Sequence, residues 1–190
     1  MKRKILNCLI LLTSSLLTGC IVSHIHIPSR RWKIETKNPT SYVYQVSTDS
    51  LVHSIENNFR NSKEKSWKYV SAKQDKFGYD YCVHMYSNSS SILYRTKKGR
   101  KGCPYLIELY LCCDSVSPKQ TKVTTAVFYS LISSGAKKDD RWHHDAPPST
   151  IEEYQLLRLI GKFVGEHDMP PVRYPKKLPA KELEALQAIY

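Results

Sequence analysis

A chain of 190 residues with a formal charge of +12, 41% hydrophobic and 24% charged residues is sized for one folded domain, which excludes a large multidomain machine. Thirteen Tyr and three Trp supply an aromatic stock that disordered chains lack. The composition likewise excludes collagen-like, coiled-coil and polytopic membrane classes.

Lys2, Arg3 and Lys4 open the chain, an apolar run from Ile5 to Leu12 follows, and Leu16-Leu17-Thr18-Gly19-Cys20 comes next. That order is a basic n-region, an h-region and a cleavage site. Only 15 uncharged residues lie between Ile5 and Gly19, diluted by Asn7, Thr13, Ser14 and Ser15, whereas a membrane-spanning helix needs about 20 apolar residues. The segment resembles a bacterial lipoprotein signal: Leu17, Thr18, Gly19 and Cys20 match the lipobox recognised by signal peptidase II. The resemblance implies that residues 1–19 are removed, that a diacylglycerol is attached to the Cys20 thiol, and that the new amino group is acylated. Cys20 is then a lipid carrier, and these covalent acyl chains are the only cofactor expected. Two or three chains, at about 0.8 kcal/mol per buried methylene, anchor a protein durably where one holds it marginally. Ile21, not Asp, follows the cysteine, which in Gram-negative bacteria resembles cargo released to the outer membrane and facing the periplasm. The plainer alternative is a secretory signal with an accidental cysteine.

Residues 20–31 read as a lipid-anchored tether merging into an edge strand, 32–168 as one α+β domain, and 169–190 as a Pro-rich tail ending in a short helix. Arg31 to Lys37 and Tyr42 to Val46 suit a short strand pair around Asn38-Pro39. Ser47, Thr48 and Asp49 offer N-cap oxygens, and Leu51, Ile55 and Phe59 recur every four residues, so a helix is expected over about 49–61. Strands are expected over Trp67 to Lys73, Tyr79 to Tyr86, Ile92 to Lys97, Tyr105 to Cys113 and Val123 to Ile132. Both parities of Tyr105 to Cys112 are largely apolar, which suits a central strand with one face on the core and Tyr rings shielding the other. Gly135 to Thr150 is polar and has no apolar period, so an exposed loop is expected. Ser149 with Glu152 forms a capping-box signature ahead of Ile151, Tyr154, Leu157, Ile160 and Val164, which predicts a helix over about 150–165. Ala180 to Ile189 presents Leu183, Leu186 and Ile189, a helix too short to stand alone that must dock on the core or a partner. The expected fold is α+β: an antiparallel meander sheet of four to five strands packed against two main helices, with a short C-terminal helix.

After maturation Cys82, Cys103, Cys112 and Cys113 remain, an even number in a compartment that permits disulfides. A strand spanning 103–112 holds its ends roughly 30 Å apart, far beyond the 7 Å bridging limit. Cys112 and Cys113 point to opposite faces. The candidates left are therefore Cys82 with Cys112, Cys113 or Cys103, and at most one intrachain bridge is expected. Cys82 and His84 share a strand face, and with Cys112 or Cys113 they have a spacing that zinc can use. No CxxC or HxxxH clamp accompanies them, which favours a buried thiol beside a hydrogen-bonded histidine. His143-His144-Asp145 is a second cluster, but it is adjacent in sequence and beside Arg141, which favours a solvated loop. No metal site is expected.

No GxSxG elbow, HExxH helix, Walker loop or GxGxxG turn is present, which disfavours catalysis. Three of the 29 basic residues and no acid lie in the leader, so the mature chain holds 26 basic and 17 acidic residues, a charge of +9. Arg95, Lys97, Lys98, Arg100 and Lys101 crowd a predicted hairpin tip, and Arg173, Lys176, Lys177 and Lys181 line the tail. Such runs can hold lipid head groups, anionic glycans or an acidic protein; lysines at a tip also simply protect a sheet edge. Export removes nucleic acid as a partner. The leading expectation is a non-catalytic, membrane-anchored envelope module whose sheet or basic surface binds an anionic component or protein partner. The alternatives are an immunity-type protein that neutralises a toxin in the periplasm and a small periplasmic enzyme built on His84 or His143.

Overall fold

Strand β6 (Tyr105–Ser117) organises the molecule, because one parity of its side chains is apolar from Ile107 to Cys113. Ile107, Leu109, Leu111 and Cys113 all point to the helices and are buried. The structure, a computed structural model, describes residues 29–30, 37–61, 67–87, 91–95, 105–125, 130–133, 142–145 and 148–188. The leader, Leu17, Thr18, Gly19, Cys20, most of the strand expected over 31–37, Lys97, Lys98, Arg100, Lys101 and Cys103 lie outside the described residues.

The fold is α+β, with an antiparallel sheet and two main helices on one face. β3 (Trp67–Lys76), β4 (Tyr79–Ser87), β6 and β7 (Gln120–Thr124) run as neighbours, and β2 (Ser41–Tyr44) closes the edge beside β7. Two further strands, β8 (Ser130–Ser133) and β9 (Trp142–Asp145), complete the sheet. On β6, Glu108 meets Tyr86 of β4 and Ser130 of β8, while Cys112 meets Cys82 of β4 and Thr124 of β7. β7 and β8 therefore lie end to end along the same edge of β6. The single strand expected over Val123 to Ile132 is thus two strands flanking an interruption.

The expected loop over Gly135 to Thr150 contains β9, whose His143, His144 and Asp145 pair in register with Ile132, Leu131 and Ser130 of β8. Cross-strand hydrogen bonding outweighs the polar composition that reads as loop. Within the segment Ile92 to Lys97, expected as a strand of the sheet, the described residues form β5 (Tyr94–Arg95), which pairs with β1 (Ser29–Arg30) in a separate two-stranded sheet. β4 pairs directly with β6 instead.

Helix α1 (Thr48–Asn61) starts where Ser47 accepts a hydrogen bond from the Ser50 N–H at 3.4 Å through Oγ and from the Leu51 N–H at 3.0 Å through its carbonyl. Leu51, Ile55 and Phe59 lay the expected stripe on the core, and Phe59 meets Phe163 edge-on at 5.2 Å. Helix α2 (Ile151–Phe163) starts differently from the capping-box expectation: the Ser149 hydroxyl accepts from the N–H groups of Ile151 and Glu152 and donates to Glu153 Oε2 at 2.7 Å, so Glu153, not Glu152, closes the box. Thr150, at φ 64°, turns the chain by one extra residue and shifts the partner.

Ten of the thirteen residues of α2 are buried, Glu152, Glu153 and Gln155 among them, so most of the helix surface is covered and only the Arg158–Lys162 strip stays open. The tail supplies part of that cover. Gly165, at φ 79°, ends α2 in a Schellman turn, with Glu166 N–H to Gly161 O at 2.8 Å and Gly165 N–H to Lys162 O at 3.4 Å. The Glu166 carboxylate then accepts from Gln45 N–H and the Tyr42 hydroxyl of the β2 region. Asn38 mimics a strand partner, donating to Arg173 O at 3.0 Å and accepting from Arg173 N–H at 2.8 Å. Met169 and Leu186 of helix α3 (Ala180–Gln187) join the hydrophobic core, so residues 169–188 pack on the same core as the rest. The short helix docks on the chain itself, as its length requires.

Candidate functional site

The face of the sheet turned away from the helices carries the chemistry. Three cross-strand rows lie there: Lys68-Tyr86-Glu108, Ser71-His84-Tyr110 and Lys73-Cys82-Cys112, each set by the register of β3, β4 and β6. The last row holds a disulfide between Cys82 and Cys112, directly opposed with Cα atoms 4.2 Å apart. It realises one of the pairings left open by strand geometry. It also consumes the thiols of the conceivable zinc set, and Cys113 projects to the helix side, where burial pushes its thiol up to about 12. Among the described residues no group of three or more His, Cys, Asp or Glu is arranged to hold a metal ion.

In the middle row, the His84 ring stacks on Tyr110, centroids 4.7 Å apart and planes 16° from parallel. His84 Nε2 lies 2.6 Å from Glu108 Oε1. An ionised Glu108 carboxylate accepts from the ring nitrogen, and this contact together with the stacking on Tyr110 holds the ring orientation. The hydrogen-bonded histidine favoured by sequence is therefore what the fold provides.

The β3–β4 hairpin completes the site in a way the sequence does not announce. Its loop is the pair Phe77-Gly78, at φ 59° and 77°, the backbone of a type I′ turn in which Asn-Gly is the usual occupant. A phenylalanine in the left-handed region costs of order 1–3 kcal/mol. The hairpin end reaches over the sheet: the Phe77 ring meets Tyr110 edge-on at 5.4 Å, and Lys76 Nζ sits 4.5 Å from the Phe77 centroid and 4.0 Å from that of Tyr110. Lys76 O lies 3.3 Å from Cys82 Sγ, a packing contact because the bridged sulfur carries no proton, so the same tip covers the disulfide. Lys68 Nζ lies 5.3 Å from the Tyr86 ring. The result is a strip of aromatic rings flanked by ammonium groups, with Phe77 43% exposed at its end. Such a strip can stack on flat or apolar groups and attract anionic ones, each cation–π contact contributing about 0.5–1 kcal/mol at an exposed site.

Of the basic residues singled out by sequence, Arg95 is placed by backbone alone, opposite Ser29 in the β1–β5 pair. Lys97, Lys98, Arg100 and Lys101 lie outside the described residues. Lys68, Lys76, Phe77, Glu108 and Tyr110 were not singled out. The available signal was a bulky Phe before Gly at a hairpin loop, and it is weak without the register that brings Tyr110 beneath it.

A second, polar cleft of about 480 Å³ opens between the start of α1 and the strand residues next to the β3–β4 loop, with Asp49 and Asp80 on its walls; Asp80 accepts the Ser115 N–H at 2.7 Å. No helix among the described residues is long and apolar enough to cross a membrane. Comparison with protein-family models, with curated proteins and with solved structures finds no match to this chain.

Proposed function

We propose that the chain is a lipid-anchored module of the bacterial cell envelope, held through acylated Cys20, that binds an anionic envelope component or a protein partner through the sheet face turned away from the helices or through the basic segment that begins at Arg95. The observation that carries the proposal is Leu17-Thr18-Gly19-Cys20 behind a basic and apolar leader. The Cys82–Cys112 disulfide supports it, because such bonds persist in oxidising compartments outside the cytosol. So does the β1–β5 pair. Ser29 follows Cys20 by nine residues, which extended span at most about 30 Å, and Ser29 pairs with Arg95, the first residue of the basic run. An anchored Cys20 therefore keeps the start of that run within about 30 Å of the bilayer, just under four Debye lengths at physiological salt, so the run senses the surface only where the tether is not fully extended. In a Gram-negative cell the outer membrane, periplasmic side, is the proposed location, and nucleic acid is not a partner.

The test is capture of the mature chain from envelope fractions at about 0.1 M and about 1 M salt. The proposal expects an anionic component or acidic protein retained at low salt, released at high salt, and lost when Arg95, Lys97, Lys98, Arg100 and Lys101 are reversed to Glu. Equal retention by the charge-reversed chain contradicts it.

A further inference from the structure

Helix α2 and the tail that crosses it enclose a groove of about 320 Å³, within the range of roughly 300–1,000 Å³ that holds small molecules. It lies along the Arg158–Lys162 strip of α2, not on the sheet face. Arg158 and Lys162 stand one turn apart on α2 and share a helix face. Leu159 and Val172 form an apolar wall, and Tyr174 faces the cations from the tail.

The donors are set by a buried residue. Gln155 is 3% exposed, and its Nε2 donates to Leu186 O at 2.7 Å and to the Tyr174 hydroxyl at 3.1 Å. The Leu186 carbonyl can only accept, which fixes the orientation of the amide. Because the Tyr174 oxygen accepts from Gln155, its own proton remains to be donated elsewhere. The Arg158 charge acts on this hydroxyl, opposing the rise that burial produces in Tyr174. A planar guanidinium with its fork of donors, an ammonium and a phenolic O–H thus line one groove, and among the described residues that line it none is acidic.

We propose that this groove binds a small organic oxyanion, a carboxylate or phosphate ester, with its charged group on Arg158, Lys162 and Tyr174 and its apolar body against Leu159 and Val172. The site depends on neither the lipid anchor nor the sheet face. Its failure therefore leaves the envelope proposal standing, and the reverse also holds.

The test is isothermal titration of the full chain, purified in a zwitterionic detergent, with phenyl phosphate, benzoate and inorganic phosphate as probes. Saturable binding of phenyl phosphate or benzoate is expected, at least about tenfold tighter than inorganic phosphate, and whichever organic probe binds tighter names the charged group. Arg158→Ala with Lys162→Ala should weaken it by about tenfold or more, and Tyr174→Phe by several-fold, while Lys119→Ala with Lys122→Ala, a pair of equal charge outside the groove, should leave it unchanged. Arg158→Lys keeps the charge and loses the fork, so it serves where the double variant does not fold and should also weaken binding several-fold. Absence of saturable binding, equal affinity for inorganic phosphate, unchanged affinity in both Arg158 variants, or an equal loss in the Lys119/Lys122 pair each overturns the proposal.

Discussion

Replacing both Cys82 and Cys112 by Ala removes the one cross-link found among the described residues, and the structure sets the size of the effect. The bridge closes a loop with a sequence separation of 30. Loop-closure entropy for such a loop is roughly −12 cal/mol/K, or about 3.6 kcal/mol at 25 °C. The two sulfurs sit at 1% and 0% exposed positions under the hairpin tip, so their loss also leaves unfilled space, and 3.6 kcal/mol is nearer a lower figure than an upper one. For a domain of this size each kcal/mol moves the Tm by about 2–4 °C, which predicts a fall of about 7–14 °C. Calorimetric melts of the wild type, the double variant and the wild type refolded under reductant measure it; the reduced wild type keeps both sulfurs and should show the cross-link loss alone, with the double variant melting at or below it. Because the bond is covered, reductant added to the folded protein should act slowly, at the rate at which the β3–β4 hairpin opens. A double variant that melts within 2 °C of the wild type, or a non-reducing peptide map without a Cys82–Cys112 link, refutes the reasoning.

Three further outcomes follow from buried or strained positions. Burial raises the Glu153 carboxyl above its ordinary range even though Ser149 pulls the other way, and its Oε1 has no hydrogen-bond partner. The folded state therefore holds this proton to higher pH than the unfolded state, so its contribution to stability is present below the unfolded value near 4.3 and is lost as pH rises through the folded one. Glu153→Gln should be more stable than the wild type at pH 7, by about 1–3 kcal/mol, with the gap closing below pH 4 in denaturant melts; a gap independent of pH contradicts this. A Cβ added at Gly161 would stand 2.7 Å from Met169 Sδ and 3.0 Å from the Glu166 carbonyl, so Gly161→Ala should cost about 1–3 kcal/mol despite its better helix propensity, and an equal or higher Tm contradicts the close crossing. Phe77→Asn relieves a positive-φ cost of order 1–3 kcal/mol and forfeits ring contacts worth about 0.5–1.5 kcal/mol, so stability should hold or rise by up to about 2 kcal/mol while partner capture falls. Undiminished capture would exclude the hairpin tip from the binding surface.

The helices were legible because their signals are local. The four-residue recurrence of Leu51, Ile55 and Phe59 and the run from Ile151 to Ile160 each state a buried face without reference to the rest of the chain. The α+β class was legible for the same reason, as was the Tyr-shielded second face of β6, where Tyr110 now lies against His84 and Phe77. What escaped depends on long-range pairing. Trp142 to Asp145 is polar and becomes a strand because β8 offers it a ladder, and Tyr94 and Arg95, in a segment of β-type composition, pair with Ser29 and Arg30 and not with the main sheet. Glu152 and Glu153 look like the solvated first turn of a helix and are buried because the first turn of α2 is covered by the rest of the chain. Among the site residues, Cys82 and His84 were visible by spacing. Their partners Cys112 and Glu108 come from a strand some 30 residues away, and only the β4–β6 register selects them.

The central claim is that this chain reaches the envelope as a lipoprotein, and the intact mass of the mature protein's amino-terminal peptide tests it most directly. The account predicts a chain beginning at Cys20, bearing a thioether-linked diacylglycerol and an N-acyl group, with Cys82 and Cys112 joined in the same molecules. A chain beginning at Met1 with an unmodified Cys20 and reduced Cys82 and Cys112 contradicts it.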